Sequence, residues 1–119
     1  MTQREIADIL RSLGIARSYQ GYVHVMRAVF LILENEDRLQ NITREIYERI
    51  ALEAGAASSA VERNIRTIAH RAWDMNPALL QKMAGYPLEK PPSSTAFLEM
   101  ICSFILRRQE GNKPSAEGE

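Results

Sequence analysis

Residues 59–73 separate polar and apolar side chains onto two sides of a helix. At about 100° per residue, four apolar residues fall within one narrow sector: Val61, Ile65, Ile68 and Ala72. The opposite side carries Ser59, Glu62, Arg63, Arg66, Thr67 and His70. Side chains of these types hydrogen-bond to bases and phosphates, so one hypothesis is that the outer side of this helix reads the major groove of DNA.

The chemistry expected of this helix follows from its donors and acceptors. An arginine fork matches the O6 and N7 acceptors of guanine, and a glutamate accepts from the N4 amine of cytosine. Glu62 and Arg63 lie in the first turn and Arg66 lies one turn later, which suits a helix that enters the groove by its N-terminal half. An ordinary solvated surface helix carries the same mixture of charges. On the residues alone, both interpretations stay open.

The preceding segment has the proportions of the first helix of a helix-turn-helix. Thr43 is a candidate N-cap with the apolar Ile42 before it, and Ile46, Ile50 and Ala51 line one side. A short turn at residues 54–57 contains Gly55, and Ser58 or Ser59 can cap the polar helix. The two helices and their short turn therefore predict a helix-turn-helix motif.

Four further helices complete an all-α prediction, because strand signals are almost absent. Helix one ends at Gly14, where Ile15 suits a Schellman-type stop. Apolar spacing from Tyr22 to Leu33 predicts helix two, and Asn76-Pro77 and Gly85 bound helix five. Helix six begins at a Ser94 or Thr95 cap and runs to about residue 108. We predict one six-helix domain over residues 1–108 and a disordered polar tail over residues 109–119.

Composition limits the functional classes. The 119 residues are 45% hydrophobic and 25% charged, which is typical of one globular domain. The net charge of zero is unusual for a DNA-binding domain, although a neutral sum can hide a locally basic surface. The single cysteine, the absence of a membrane-spanning apolar run and the charged N-terminus predict a cytoplasmic protein.

Other reactive side chains predict little chemistry. Two distant histidines, His24 and His70, and one cysteine are too few for a zinc-type site, so we predict no metal and no cofactor. Cys102 lies in an apolar helix and is interpreted as a buried structural thiol, since no positioned base is evident. Trp73 is expected to pack at the end of its helix. No catalytic constellation is found, and we predict neither an enzyme nor a small-molecule substrate.

Helix six is apolar on almost every side, including Phe104 and Ile105. One side can enter the core, and another would then face a partner or be covered by the loop at residues 86–92. Phe104 and Ile105 are therefore candidate partner contacts. In the rival hypothesis, the domain is a protein-interaction module that pairs with a full-length regulator through helix six and does not read DNA.

Several segments resemble the C-terminal effector domain of the stage-zero sporulation response regulator (sporulation initiation factor A) family. This family holds the master transcription factor of endospore formation in Gram-positive bacteria. The likeness covers about residues 5–108. The matching segments are LGI at 13–15, GYVHVMRAV at 21–29, NITREIYERIA at 41–51, AVERNIRTIAHRAW at 60–73, GY at 85–86 and KPPSSTAF at 90–97.

The resemblance implies a six-helix DNA-binding fold and a target box with a TGTCGAA-like core. It implies that Arg63 contacts guanine, that Glu62 contacts a base amine and that Arg66 contacts base or phosphate, with Ser59 near the backbone. It also implies that neighbouring domains touch in tandem on DNA, as a homodimer or as adjacent copies. Three departures bear on affinity and box sequence: Ala60, Thr67 and Glu48 replace residues usual in the family. No receiver domain is present in the 119 residues, so we do not expect phosphorylation to be the switch.

Overall fold

A computed structural model describes residues 3–111 of the chain, and within this segment it is helical without strands. Six α-helices are present there, as predicted. They are α1 (Gln3–Ser12), α2 (Tyr22–Glu34), α3 (Glu48–Ala54), α4 (Ser58–Met75), α5 (Pro77–Ala84) and α6 (Ser94–Gly111). A 3₁₀ helix at Glu36–Asn41 and a π-helical turn at Thr43–Tyr47 lead into α3. The all-α prediction is confirmed.

The core forms around α6, which packs against α2, α4 and α5. Phe97, Leu98 and Ile101 of α6 are fully buried. They meet the buried faces of α2 and α4, which include Val29 and Ile65. Burial of such a side chain stabilises the fold by roughly 1.5–3 kcal/mol. Most of the apolar surface of α6 is therefore buried inside the molecule.

This packing changes the prediction for the partner surface on helix six. Ile105 is 1% exposed and belongs to the core. Three helices surround α6, so a side that the sequence left open is covered. Ile105 cannot contact a partner in this structure, whereas Phe104 is half-buried at the edge of the core.

Several predicted helix ends are confirmed. The Ile15 N–H donates to the Leu10 carbonyl over 2.9 Å, and Gly14 has a φ of 85°, which completes the Schellman stop of α1. Asn76 caps α5, because its Oδ1 accepts from the Leu79 N–H over 3.2 Å. Its Nδ2 also donates to the Ser12 carbonyl over 2.9 Å, which joins the end of α1 to the α4–α5 corner.

The predicted cap at Thr43 is wrong, because the chain is already helical when it reaches that residue. Asn35 is the capping residue of this stretch, and its Oδ1 accepts from the Asp37 N–H over 3.0 Å. The 3₁₀ helix then passes into the π-helical turn without an extended residue that could act as a new N-cap. The acidic residues Glu36 and Asp37 form the first turn of this 3₁₀ helix.

Two other predicted caps are displaced along the chain. Ala57 is the extended residue before α4 and offers no side-chain hydrogen bond, so neither Ser58 nor Ser59 caps the helix. Ser93 caps α6, because its Oγ accepts from the Ala96 N–H over 3.1 Å. A cap requires extended backbone dihedrals at that residue, and residue type alone did not locate them.

The C-terminal boundary moves outward. The α6 helix extends to Gly111, three residues beyond the predicted end, and the rest of the predicted tail, 112–119, lies outside the described residues. The proposed domain limits otherwise stay a prediction. No helix within residues 3–111 is long and apolar enough to cross a membrane.

Candidate nucleic-acid interface

A turn of three residues joins α3 to α4. Gly55 has a φ of 68°, and the Ala56 N–H donates to the Ala51 carbonyl over 2.9 Å, so the glycine ends α3 in the left-handed conformation. The chain then reverses through Ala57 into the first turn of α4. This short connection sets α4 across α3 as the second helix of the pair.

The inner side of α4 is as predicted. Val61, Ile65, Ile68 and Ala72 are buried, and Ala69 joins them. They pack against α3, α2 and α6. Because three helices pack against this side, the rotation of α4 about its own axis is fixed, and the opposite side must face solvent.

The solvent side holds five of the six predicted residues in exposed positions. We call this set the outer face of α4: Ser59, Arg63, Arg66, Thr67 and His70. Within residues 3–111, the Arg63 guanidinium forms no ion pair and no hydrogen bond. Arg66 lies 3.6 Å from a Glu62 carboxylate oxygen and keeps half of its side chain exposed. An exposed pair of this kind contributes little stability, so the Arg66 guanidinium remains available to a ligand.

Thr67 has an internal partner. Its Oγ1 donates to the Arg63 carbonyl one turn earlier, over 3.0 Å. The hydroxyl hydrogen is therefore engaged within the helix, and only the oxygen lone pairs and the methyl group face outward. Thr67 can accept a hydrogen bond or make an apolar contact at this surface.

Glu62 differs from the outer face because it is half-buried and hydrogen-bonded to another helix. Its Oε2 accepts from the Ser94 Oγ over 2.8 Å, and Ser94 itself is only 4% exposed. The Tyr47 hydroxyl lies 2.9 Å from the same Ser94 oxygen and 3.3 Å from the Thr95 hydroxyl. A carboxylate only accepts, so Ser94 donates to Glu62 and must accept from Tyr47. This chain of hydrogen bonds joins the π-helical turn, α4 and the start of α6.

The opposite flank of α4 packs against the loop before α2. Gly21 has a φ of 98°, and a Cβ there would lie 2.8 Å from the Asn64 carbonyl oxygen. Two residues earlier, the Tyr19 ring lies under the Arg71 guanidinium, with 5.2 Å between Cζ and the ring centroid. Both flanks of α4 are thus fixed, and the outer face lies between them.

An ion pair joins the first helix of the motif to α2. Arg27 donates from Nε and Nη2 to the two carboxylate oxygens of Glu53, each over 2.9 Å. The hydrogen bond from Arg27 lowers the pKa of Glu53, and the same bond raises the pKa of Arg27. Local spacing in the sequence does not reveal this pair, because its members are 26 positions apart on different helices.

The remaining candidates behave as structural or solvated residues. Cys102 is buried, and desolvation together with the nearby Glu36 and Glu99 raises its pKa to about 12. The thiol therefore stays protonated at neutral pH and does not form the thiolate that a nucleophile requires. His24 is half-buried, and burial lowers its pKa. Trp73 packs at the edge of the core, as predicted. Within residues 3–111, no group of three acidic, histidine or cysteine side chains could hold a metal ion.

An all-helical domain in which a short turn presents the polar side of a second helix has the arrangement of the helix-turn-helix class of DNA-binding domains. The family model described as "Sporulation initiation factor Spo0A C terminal" matches residues 6–105. The chain belongs to this family, which is the DNA-binding effector domain of a transcriptional regulator of sporulation. The family is not known as an enzyme.

Proposed function

We propose that the chain is a sequence-specific transcriptional regulator that inserts α4 into the major groove of a box with a TGTCGAA-like core. The observation that supports this most directly is the outer face of α4. Two arginines, two hydroxyl side chains and a histidine stand exposed on one side of a helix whose rotation is fixed by its packing. A rigid helix delivers its side chains to base edges with little further loss of entropy.

Within this proposal the residues have different roles. Arg63 is the guanine contact, because its guanidinium has no internal partner among the described residues. Arg66 contacts base or phosphate, and Ser59, Thr67 and His70 line the contact. Glu62 is a positioning residue as well as a candidate base contact, since its Oε2 already accepts from Ser94. As a bacterial transcription factor, the chain would act in the cytoplasm, where the chromosome lies.

The test is fluorescence anisotropy with a labelled TGTCGAA duplex and a scrambled duplex, at two salt concentrations. We expect tighter binding to the cognate box, and weaker binding to both duplexes as salt rises, because phosphate contacts release counterions. Equal and feeble binding to both duplexes would contradict the proposal. Binding to a series of duplexes with permuted box sequences would then show whether the protein reads a different box or no box at all.

We also propose that adjacent copies touch when two boxes lie side by side. Phe104 is half-buried beside a surface groove of about 240 Å³ between α1, α5 and α6, so part of its ring can reach a neighbouring molecule. The test is binding to duplexes that carry one or two boxes at several spacings. We expect cooperative binding at one spacing and its loss in Phe104→Ala. Independent binding at every spacing would contradict tandem contact.

The rival function is a protein-interaction module that pairs with a full-length regulator through α6. The zero net charge motivates it, but the burial of Ile105 removes one of its two proposed contact residues. A pull-down that depends on Phe104, together with DNA binding that does not respond to salt, would favour this function over the first.

A further inference from the structure

Arg71 lies beside the outer face of α4 and was not among the predicted contacts. Its guanidinium stacks over the Tyr19 ring at 5.2 Å, a distance at which the ring face attracts a cation. Arg71 is exposed and forms no ion pair with any residue in the segment 3–111. The ring lies against one side of the guanidinium, and no carboxylate of the described residues pairs with its N–H groups.

The loop that supplies Tyr19 is itself well ordered by hydrogen bonds. The Tyr19 N–H donates to the Ala16 carbonyl, and the Tyr22 N–H donates to the Tyr19 carbonyl, each over 3.1 Å. Gly21 brings the loop against the backbone of α4 at Asn64, where no Cβ would fit. Tyr19 therefore occupies a set position relative to α4 before any ligand binds.

The location of Arg71 suits the edge of a groove. It lies two turns beyond Arg63, about 12 Å along the helix axis and about 80° around it. Between Arg71 and the loop is a surface hollow of about 230 Å³, lined also by Gln20, Thr67 and Ile68. A helix that reads bases with its N-terminal half brings its later turns near the phosphates of one strand.

We propose that Arg71, oriented by the Tyr19 ring, binds a DNA backbone phosphate at the edge of the groove. This inference rests on the proposed function and adds a contact from the α1–α2 loop side. Guanidinium and phosphate match in a two-pronged hydrogen bond. Tyr19 is a positioning residue, since it acts through Arg71.

The experiment measures the dissociation constant against salt for cognate and scrambled duplexes. In Arg71→Ala we expect weaker binding to both duplexes, an unchanged ratio between them and a salt slope shallower by about 0.9, the loss of one phosphate contact. Tyr19→Leu should reproduce this loss, whereas Tyr19→Phe keeps the ring and should bind like wild type. Circular dichroism and thermal melting confirm that each variant is folded.

Arg4→Ala is the matched control. It removes the same charge from the exposed start of α1, at the other end of that helix from its contact with Asn76, and should leave the salt slope unchanged. A duplex with one neutral methylphosphonate on the flank identifies the phosphate, because wild type should lose affinity there and Arg71→Ala should not.

The outcomes separate the Arg71 phosphate contact from the proposed function. If wild type binds the cognate box and Arg71→Ala keeps the full salt slope, the phosphate contact is overturned and the proposed function stands. If Arg71→Ala alters the ratio of cognate to scrambled affinity, Arg71 contacts a base and the phosphate assignment is overturned. If wild type shows no salt-dependent binding to any duplex, the proposed function fails first.

Discussion

Two neighbouring residues of α4, Glu62 and Arg63, have the same sequence context and different surroundings. Glu62 accepts a hydrogen bond from the buried Ser94, whereas the Arg63 guanidinium has no partner within the described segment. A base contact by Glu62 would compete with that internal bond, and a base contact by Arg63 would not. The two residues should therefore respond differently to substitution.

The first prediction concerns Arg63. Arg63→Ala should weaken binding to the cognate box by roughly 1–3 kcal/mol and flatten discrimination at one base pair. Arg63→Lys keeps the charge but loses the planar fork, so it should preserve the salt slope and still lose discrimination. Anisotropy on single-base variants of the box measures both effects. An unchanged ratio of cognate to scrambled affinity in Arg63→Ala would refute this role.

The second prediction separates support from recognition at Glu62. Glu62→Gln retains an acceptor for Ser94 and should unfold at nearly the wild-type denaturant midpoint. Glu62→Ala removes the charged acceptor of the Ser94 hydroxyl and should cost about 1–3 kcal/mol in the free energy of unfolding. Urea titration measures this, and a Ser94→Ala background should reduce the loss. If Glu62→Gln keeps stability but alters base preference, Glu62 also reads DNA.

The third prediction concerns pH and Cys102. Burial raises its pKa to about 12 from the ordinary 9.0, so the folded state keeps the proton that the unfolded chain releases. Stability should therefore fall as pH rises above 9, by about 1 kcal/mol between pH 9 and pH 10 from this group alone. Urea titrations of wild type and Cys102→Ala isolate the effect. Parallel pH profiles for the two proteins would contradict it.

At the scale of elements, local periodicity predicts the helices and their buried sides but not the residues that cap them. The inner side of α4 follows from the spacing of Val61, Ile65, Ile68 and Ala72 because that information lies within one helix. The cap of α6 is Ser93, whose Oγ accepts from the Ala96 N–H. Which hydroxyl residue caps a helix depends on how the preceding loop packs, and a run of several hydroxyl residues does not reveal it.

The fourth prediction tests the contact between the α1–α2 loop and α4. Gly21→Ala introduces a Cβ 2.8 Å from the Asn64 carbonyl at a left-handed position. Gly55→Ala is the matched control, because Gly55 is also left-handed but has nothing within 4 Å of its added Cβ. Backbone strain should cost each variant about 1 kcal/mol. Gly21→Ala should lose clearly more, and equal denaturation midpoints would contradict the close contact.

At the scale of the whole molecule, α6 is the helix around which the other helices form one core. Its sequence is apolar on nearly every side, and such a pattern cannot tell whether two or three helices surround it. The structure places α2, α4 and α5 there, which explains why Ile105 was wrongly expected at a surface.

The candidate site also has a part that the sequence predicts and a part that it does not. The outer face was predictable from spacing, and the Tyr47–Ser94–Glu62 hydrogen bonds were not, since they join residues distant in the chain.

The fifth prediction follows from this packing. Ile105→Ala should lose about 2–5 kcal/mol of folding free energy, because it leaves a cavity inside the single core. Phe104→Ala, one position earlier and half-buried, should lose less and should still bind a single box. Thermal unfolding and single-box anisotropy measure the two effects. A stable Ile105→Ala variant with altered partner binding would restore Ile105 to a surface role.

The equal numbers of cationic and anionic side chains, 15 of each, shape how this protein would search a chromosome. A strongly basic domain is held by any polyanion, including ribosomal RNA, and spends much of its time on irrelevant sequences. With balanced charge, attraction at a distance largely cancels beyond about 10 Å at moderate salt. Recognition then depends on side chains that bind only at short range. The occupancy of each box in the cell would therefore depend on how well the protein fits that box more than on the total amount of nucleic acid nearby.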